Sequence, residues 1–345
     1  MNNEIGKLLN ESVIGTPGSG MLYQHKSVEA RIASIKAPSF IELHTKFGLV
    51  GTCCFCYRAT RNIDRIYDSF YIRYFSFKKT FRAKSIPHER SRTGKLREEI
   101  EKLLQGRAMK VSSEKFFHYA YVDPRNTRSV LMCKEFGFRE VRKFTTFIFS
   151  RLNPRIARGV EISKVRKEEI PEIKRLLLDR YAGFTMVSIE DLFRPDEYYV
   201  VRDPSGKVVV GAQVSPTHWR IYKMHNQAST ILLSLLTRVP VLNRLVNKDF
   251  RFLAVDALFF TEGYEHFTET LLSFLLRKFR YFNAFIPSDN DSPLYRHLEK
   301  LNLGVVSKIS KQVSTDVICR FQNFSDQEID HFTQHPAYVS ALDIT

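Results

Sequence analysis

Asn126-Thr-Arg-Ser129-Val-Leu-Met-Cys133-Lys-Glu-Phe-Gly137-Phe138 is the stretch on which the fold turns. An Asn ahead of a run of helix formers caps a helix N-terminus, and a Gly closing that run stops it. The spacing predicts a helix over Arg128 to Phe136. Upstream, Phe116 to Val122 is aromatic and β-branched and reads as a strand that Asp123-Pro124 ends. Downstream, Val141 to Phe149 reads as another strand. Further back, Leu96, Ile100, Leu103 and Leu104 recur at helical spacing, so Leu96 to Gln105 is expected to be an amphipathic helix. Before it lies a loop rich in Arg and Lys. Two strands precede that loop, Phe47 to Tyr57 with Gly51 as a bulge, and Tyr71 to Phe81 with Tyr71, Phe75, Phe77 and Phe81 on one face.

The clearest joint is Arg151 to Gly159, where Asn153-Pro154 favours a turn. It divides the chain into residues 1–155 and 156–345. The second part predicts a strand over Val160 to Val165 and a helix carrying Ile170, Ile173 and Leu177, with Pro171 in its first turn. A hairpin follows, with Tyr198 to Val201 and Val208 to Val214 joined by Asp203-Pro204-Ser205-Gly206. Ile231 to Val246 reads as an apolar helix, Phe250 to Phe260 as a strand, Phe267 to Phe279 as a helix and Tyr281 to Pro287 as a strand. Both parts thus run strand, loop, helix, strand, helix, a repetition of architecture and not of sequence. Residues 1–40 show no convincing strand and helix pair, only a loop at Gly15 to Gly20.

At 345 residues the chain favours about two domains. Its 43% apolar share and 28 Phe fit a globular protein with aromatic-rich sheets. Met1-Asn2-Asn3-Glu4 is not a basic n-region followed by an apolar run, so no signal peptide is expected. No apolar run reaches about 18 residues, so no membrane span is expected. Cys53, Cys54, Cys56, Cys133 and Cys319 are odd in number and lack paired zinc spacing. They read as thiols of a reducing cytoplasm, with no metal. The formal charge of +16 favours an anionic partner. Nucleic acid is one candidate, but no RNP, zinc-finger or helix-turn-helix signature supports it.

Asn126, Ser129, Gly137 and Phe138 resemble, in their spacing, the end of a GNAT acyltransferase domain. That family commonly has Asn, a small residue three on, Tyr seven on and Gly-Phe at eleven and twelve. The resemblance implies an α/β (α+β) chain of two GNAT-like domains, each a mixed, splayed, mostly antiparallel sheet flanked by helices. Acyl-CoA would lie where the fourth strand, Tyr71 to Phe81, parts from the fifth, Phe116 to Val122. A pyrophosphate needs helix N-terminal amides and cations. The family supplies them with an Arg/Gln-x-x-Gly-x-Gly/Ala loop, from which this chain departs. Two registers compete, Arg82-Ala-Lys84-Ser85-Ile86-Pro87 and Arg92-Thr93-Gly94-Lys95, the second standing immediately before the helix. The residues implied to hold the coenzyme are Phe77, Lys79, Phe81, Arg82, Lys84, Arg92, Thr93, Gly94, Lys95, Asn126 and Ser129.

Cys133 occupies the position where the family often has the Tyr that protonates the departing thiolate. Cys133, Tyr121 and His118 are the catalytic candidates. In the second part, Phe250 to Phe260 would be the fourth strand and Thr261 to His266 the phosphate loop, but Glu262 and Glu265 repel a pyrophosphate. Ser292 to Leu303 echoes the last helix, with Asn302-Leu303 for Gly-Phe, Leu298 at the Tyr position, and Tyr295 and His297 as an acid and base pair. The implied function is transfer of an acyl group from an acyl-CoA such as acetyl-CoA to an unidentified amine. The alternative is a catalytically silent CoA-binding or basic adaptor module.

Overall fold

The structure, a computed structural model, describes residues 2–15, 21–26, 28–36, 38–46, 48–78, 90–106, 111–155, 160–193, 197–223, 240–309 and 312–344. The first part runs α1 (Asn3–Glu11), β1 (Leu22–His25), α2 (Val28–Ser34), β2 (Pro38–Thr45), β3 (Gly48–Asn62) and β4 (Arg65–Phe77). It continues with α3 (Arg90–Leu104), β5 (Phe116–Val122), α4 (Thr127–Glu135) and β6 (Arg139–Ser150). Then come β7 (Glu161–Lys164), α5 (Ile170–Arg180), β8 (Tyr198–Arg202), β9 (Val208–Lys223), α6 (Pro240–Leu245), β10 (Asp249–Phe260) and α7 (Phe267–Phe279). The chain closes with β11 (Asn283–Asp289), α8 (Pro293–Lys300), α9 (Val305–Ile309), β12 (Ser314–Gln322) and α10 (Asp326–Gln334).

The opening residues correct the sequence expectation. They form a helix, a strand and a helix, with the Asn2 side chain accepting the Glu4 N–H at 3.1 Å and Ile5, Leu8 and Leu9 buried. Their strand, β1, pairs with β9 of the second part, through Tyr23↔Ile221 and His25↔Trp219. Residues 16–20 of the loop expected at Gly15 to Gly20, and most of the helix expected over Ile231 to Val246, lie outside the described residues.

The strands join in one sheet, ordered β2-β3-β4-β5-β12-β6-β11-β10-β9-β8-β7. The order does not follow the chain. β12 is inserted between β5 and β6, antiparallel to both, while β6 pairs antiparallel with β11 from Asn283↔Ser150 to Asp289↔Phe144. Each half therefore lends its last strand to the other, as a pseudo-two-fold axis between β12 and β6 would require. The cores follow the exchange. Phe147 and Phe149 of β6 pack with Leu253, Leu271 and Leu275 of the second half. Val317 and Cys319 of β12 pack with Tyr71, Phe117 and Tyr119 of the first. Among the described residues no helix is long and apolar enough to cross a membrane.

Candidate functional site

Each half contains one parallel strand pair that parts. β4 and β5 pair only from Asp68↔Phe116 to Tyr71↔Tyr119, although β4 runs on to Phe77 and β5 to Val122. β10 and β11 pair only at Leu253↔Ala284 and Ala254↔Phe285, although β10 runs to Phe260. Past each fork, β4 and β10 also bulge. Tyr74 and Phe75 stand opposite Cys53, between Cys54↔Arg73 and Thr52↔Ser76. Ala257 and Leu258 stand opposite Ala212, between Asp256↔Gln213 and Phe259↔Gly211. Tyr74 has φ 55° and Ala257 φ 46°, a left-handed backbone that costs about 1–3 kcal/mol in a non-glycine residue and marks functional segments. Bulges re-aim backbone groups.

Three tyrosines floor the first fork. The Tyr71 ring lies 5.1 Å from Tyr119 and 5.3 Å from Tyr121, and Tyr121 meets Phe144 at 4.9 Å. Behind them the segment after α10 returns through the interior. Arg58 donates through Nη1 and Nη2 to the two Asp343 oxygens, 2.6 Å each, and through Nη1 to Tyr119 Oη at 2.7 Å. Tyr71 Oη donates to the Asp343 carbonyl at 2.7 Å, and Arg73 Nη1 to the Leu342 carbonyl at 3.2 Å. Burial holds the Tyr71 and Tyr121 hydroxyls well above the ordinary tyrosine pKa, so both stay protonated.

The second fork is filled. Asp256 stands at the place of Arg73, and its Oδ1 accepts the Ala257 N–H of its own bulge at 2.8 Å. Tyr338 Oη also donates to Oδ1 at 2.6 Å, and Ser340 Oγ donates to Oδ2 at 2.5 Å. Tyr198 and Tyr181 donate to the Ala257 and Leu258 carbonyls. The remaining cavity is about 30 Å³, lined by Ala257, Leu258, Asp289, Ser292 and Tyr338, enough for a water or two. Burial raises the Asp256 carboxyl above its usual range despite its donors.

No family model matches the chain, and none of the curated proteins matches it. Solved structures do. Saccharomyces cerevisiae N-myristoyltransferase with bound myristoyl-CoA aligns with 92% of this chain and 79% of its own at 13% identity, with a TM-score of 0.56. A GCN5-related N-acetyltransferase from Anabaena variabilis aligns with 93% of this chain and 70% of its own at 10% identity, with a TM-score of 0.51. The chain has the tandem GNAT fold.

Within the GNAT frame, Asn126 caps α4, its Oδ1 accepting the Ser129 N–H at 3.2 Å. Gly137 stops the helix at φ 74°, letting the Phe138 N–H reach the Cys133 carbonyl at 2.9 Å. Phe77 ends β4 against Gly51, where an added Cβ would lie 2.5 Å from the Phe77 ring. Lys79, Phe81, Arg82 and Lys84 lie outside the described residues. Arg92-Thr93-Gly94-Lys95 do not stand before the helix. α3 starts at Arg90, so the N–H groups of Arg92 and Thr93 fall among its first four, and those of Gly94 and Lys95 lie beyond them. The three catalytic candidates are divided between two faces. Tyr121 packs in the floor cluster, whereas Cys133 packs with Phe55, Phe70 and Phe116 on the other side of β5. Burial pushes the Cys133 thiol up to about 11. Tyr295 and His297 of α8 meet Phe147 at 5.2 Å and Phe260 at 4.6 Å. Arg58, Arg73, Asp256 and Asp343 are the buried charged groups beside the two forks that sequence spacing does not reveal. Among the described residues no cluster of His, Cys, Asp and Glu is placed to hold a metal.

His118 sits on the Cys133 face, 1% exposed, ringed by Phe55, Phe70 and Phe116 at 5.3–5.7 Å, and neither ring nitrogen has a hydrogen-bond partner among the described residues. Burial, aided by Arg320, pulls its pKa from 6.5 to about 3. Between these values the unfolded chain binds a proton that the native state refuses. Its stabilising contribution is therefore complete above pH 6.5 and is lost as pH falls toward 3. A His118→Phe variant should lose up to about 1.4 kcal/mol per pH unit of the wild-type stability slope below pH 6.5. Urea titrations at pH 7 and 5 check this, and identical slopes would refute it.

Proposed function

We propose that the chain is an acyl-CoA-dependent N-acyltransferase, with acetyl-CoA as cosubstrate and a still unidentified amine as acceptor. The observation that carries this is the first fork. Two parallel strands unzip past Tyr71 and Tyr119, and their facing edges no longer pair with each other. Such edges suit the amides of a pantetheine arm, as strand edges suit an extended peptide. β5 leads directly into α4, whose N-terminal amides favour a pyrophosphate. The second fork has its bulge amide and carbonyls taken by Asp256, Tyr198 and Tyr181. One coenzyme per chain, in the half formed by residues 1–155, is the proposed stoichiometry. Residues 156–345 complete the sheet and supply the interior segment that meets the floor.

The bound coenzyme supplies an acyl thioester. The β4 bulge at Tyr74 presents strand amides that would polarise its carbonyl, and the protonated Tyr121 hydroxyl would donate to the departing sulfur. The resemblance to an N-myristoyltransferase bound to myristoyl-CoA and to an N-acetyltransferase supports this chemistry. A CoA-binding module without turnover is the second reading, favoured by the raised Cys133 thiol on the face away from Tyr121. The five free thiols fit a reducing compartment, and the cytoplasm is the proposed location.

CoA at 100 times its dissociation constant should stabilise the protein by about 2.7 kcal/mol, visible as a rise in thermal midpoint. Absence of any rise at millimolar CoA would refute a coenzyme site. Thiol release from acetyl-CoA across a panel of amines then separates an enzyme from a silent binder.

A further inference from the structure

We infer that the tyrosine floor of the first fork, with the Arg58–Asp343 pair behind it, restricts the acyl group to a short chain. This rests on the reading that the first fork takes the coenzyme. The strands close at Tyr71↔Tyr119, so a thioester entering from the Phe77 and Val122 ends has its acyl carbons directed at that closed end. Two of the three rings there are pinned. Tyr71 and Tyr119 are 5% and 2% exposed. Their hydroxyls bond to the Asp343 carbonyl and to Arg58, respectively. The third, Tyr121, reaches across the fork to Tyr71, with centroids 5.3 Å apart, and lies 6.1 Å from Tyr119 on its own strand.

A chain of many methylenes gains its binding energy by moving into apolar surroundings. Beyond these rings the next groups are a buried guanidinium and a buried carboxylate, their side chains 9% and 1% exposed. Arg73 lies beside them, 4.3 Å above the Tyr74 ring. Inserting a long alkyl chain would part an ion pair that cannot be resolvated there. An acetyl group ends before the floor and disturbs none of this. The three floor tyrosines are thus specificity residues, and the pair behind them positions the floor.

Calorimetric titration of the full chain with CoA, acetyl-CoA, octanoyl-CoA and myristoyl-CoA, each below its micelle threshold, tests the inference. CoA and acetyl-CoA should bind, and octanoyl-CoA and myristoyl-CoA should bind about tenfold or more weakly than acetyl-CoA. Myristoyl-CoA binding as tightly as acetyl-CoA overturns the inference while leaving the coenzyme site standing. No binding of CoA itself overturns the coenzyme reading and this inference with it. Tyr121→Ala shortens the ring that spans the fork. It should raise the affinity of octanoyl-CoA relative to CoA about tenfold. An unchanged ratio in a folded variant counts against the floor as the limiting element.

Discussion

Expressed apart, residues 1–155 and 156–345 are expected to remain unfolded, and expressed together they are expected to assemble. The exchange of β6 and β12 is the reason. Residues 1–155 alone would leave β5 and β6 flanking the place of a strand they do not contain, each losing a ladder with β12. β6 would also lose β11 and expose Phe147 and Phe149, both 0% exposed in the whole chain. Full burial of one such side chain is worth about 1.5–3 kcal/mol. A typical domain has only about 5–15 kcal/mol of net stability, so losing these ladders and two core aromatics is not survivable. Unpaired central edges would also aggregate. Far-UV circular dichroism with urea unfolding checks this for each fragment and for the co-expressed pair. A cooperative transition in isolated 1–155 would contradict the exchanged-strand arrangement.

Asp343→Ala is expected to cost about 3–5 kcal/mol, the usual loss when one partner of a buried ion pair is removed. Arg58 would keep Tyr119 Oη at 2.7 Å and Asp191 at 3.6 Å. The charge would remain in a site from which water is excluded. Pairing Asp343→Leu with Arg58→Met should recover most of the loss, because the double change removes both charges and keeps the volume filled. Urea midpoints compared at constant slope measure both variants. A single-variant loss below about 1 kcal/mol, the range of exposed pairs, would mean that the pair is not buried as described.

Local pattern carried some elements to the residue. Phe116–Val122 and Phe267–Phe279 were legible because each has one strong period and clear stops. The Asn126 cap and the Gly137 stop were legible for the same reason. β12 was not. Its Ser-Thr-Asp-Val-Ile-Cys-Arg-Phe-Gln mixes polar and apolar residues, and its partners lie far away in the chain. Asp316 accepts from Lys143 at 2.7 Å, and Arg320 pairs with Glu101. α1 and β1 are short, and β1 answers to a strand some two hundred residues downstream. The fork floor was hidden because Arg58 and Asp343 are 285 positions apart. One signal was present, since Asp256 stands alone in Phe-Leu-Ala-Val-Asp-Ala-Leu-Phe-Phe, and an acid in so apolar a run must find buried donors. Tyr338 and Ser340 are those donors.

A crystal structure of the full chain with CoA decides where the coenzyme lies. Pantetheine is expected between β4 and β5, its thiol end beside Tyr71, Tyr121 and the Tyr74 bulge, with the second fork still filled by Tyr338 and Ser340. Coenzyme lying between β10 and β11, or no bound coenzyme at millimolar CoA, would contradict this placement.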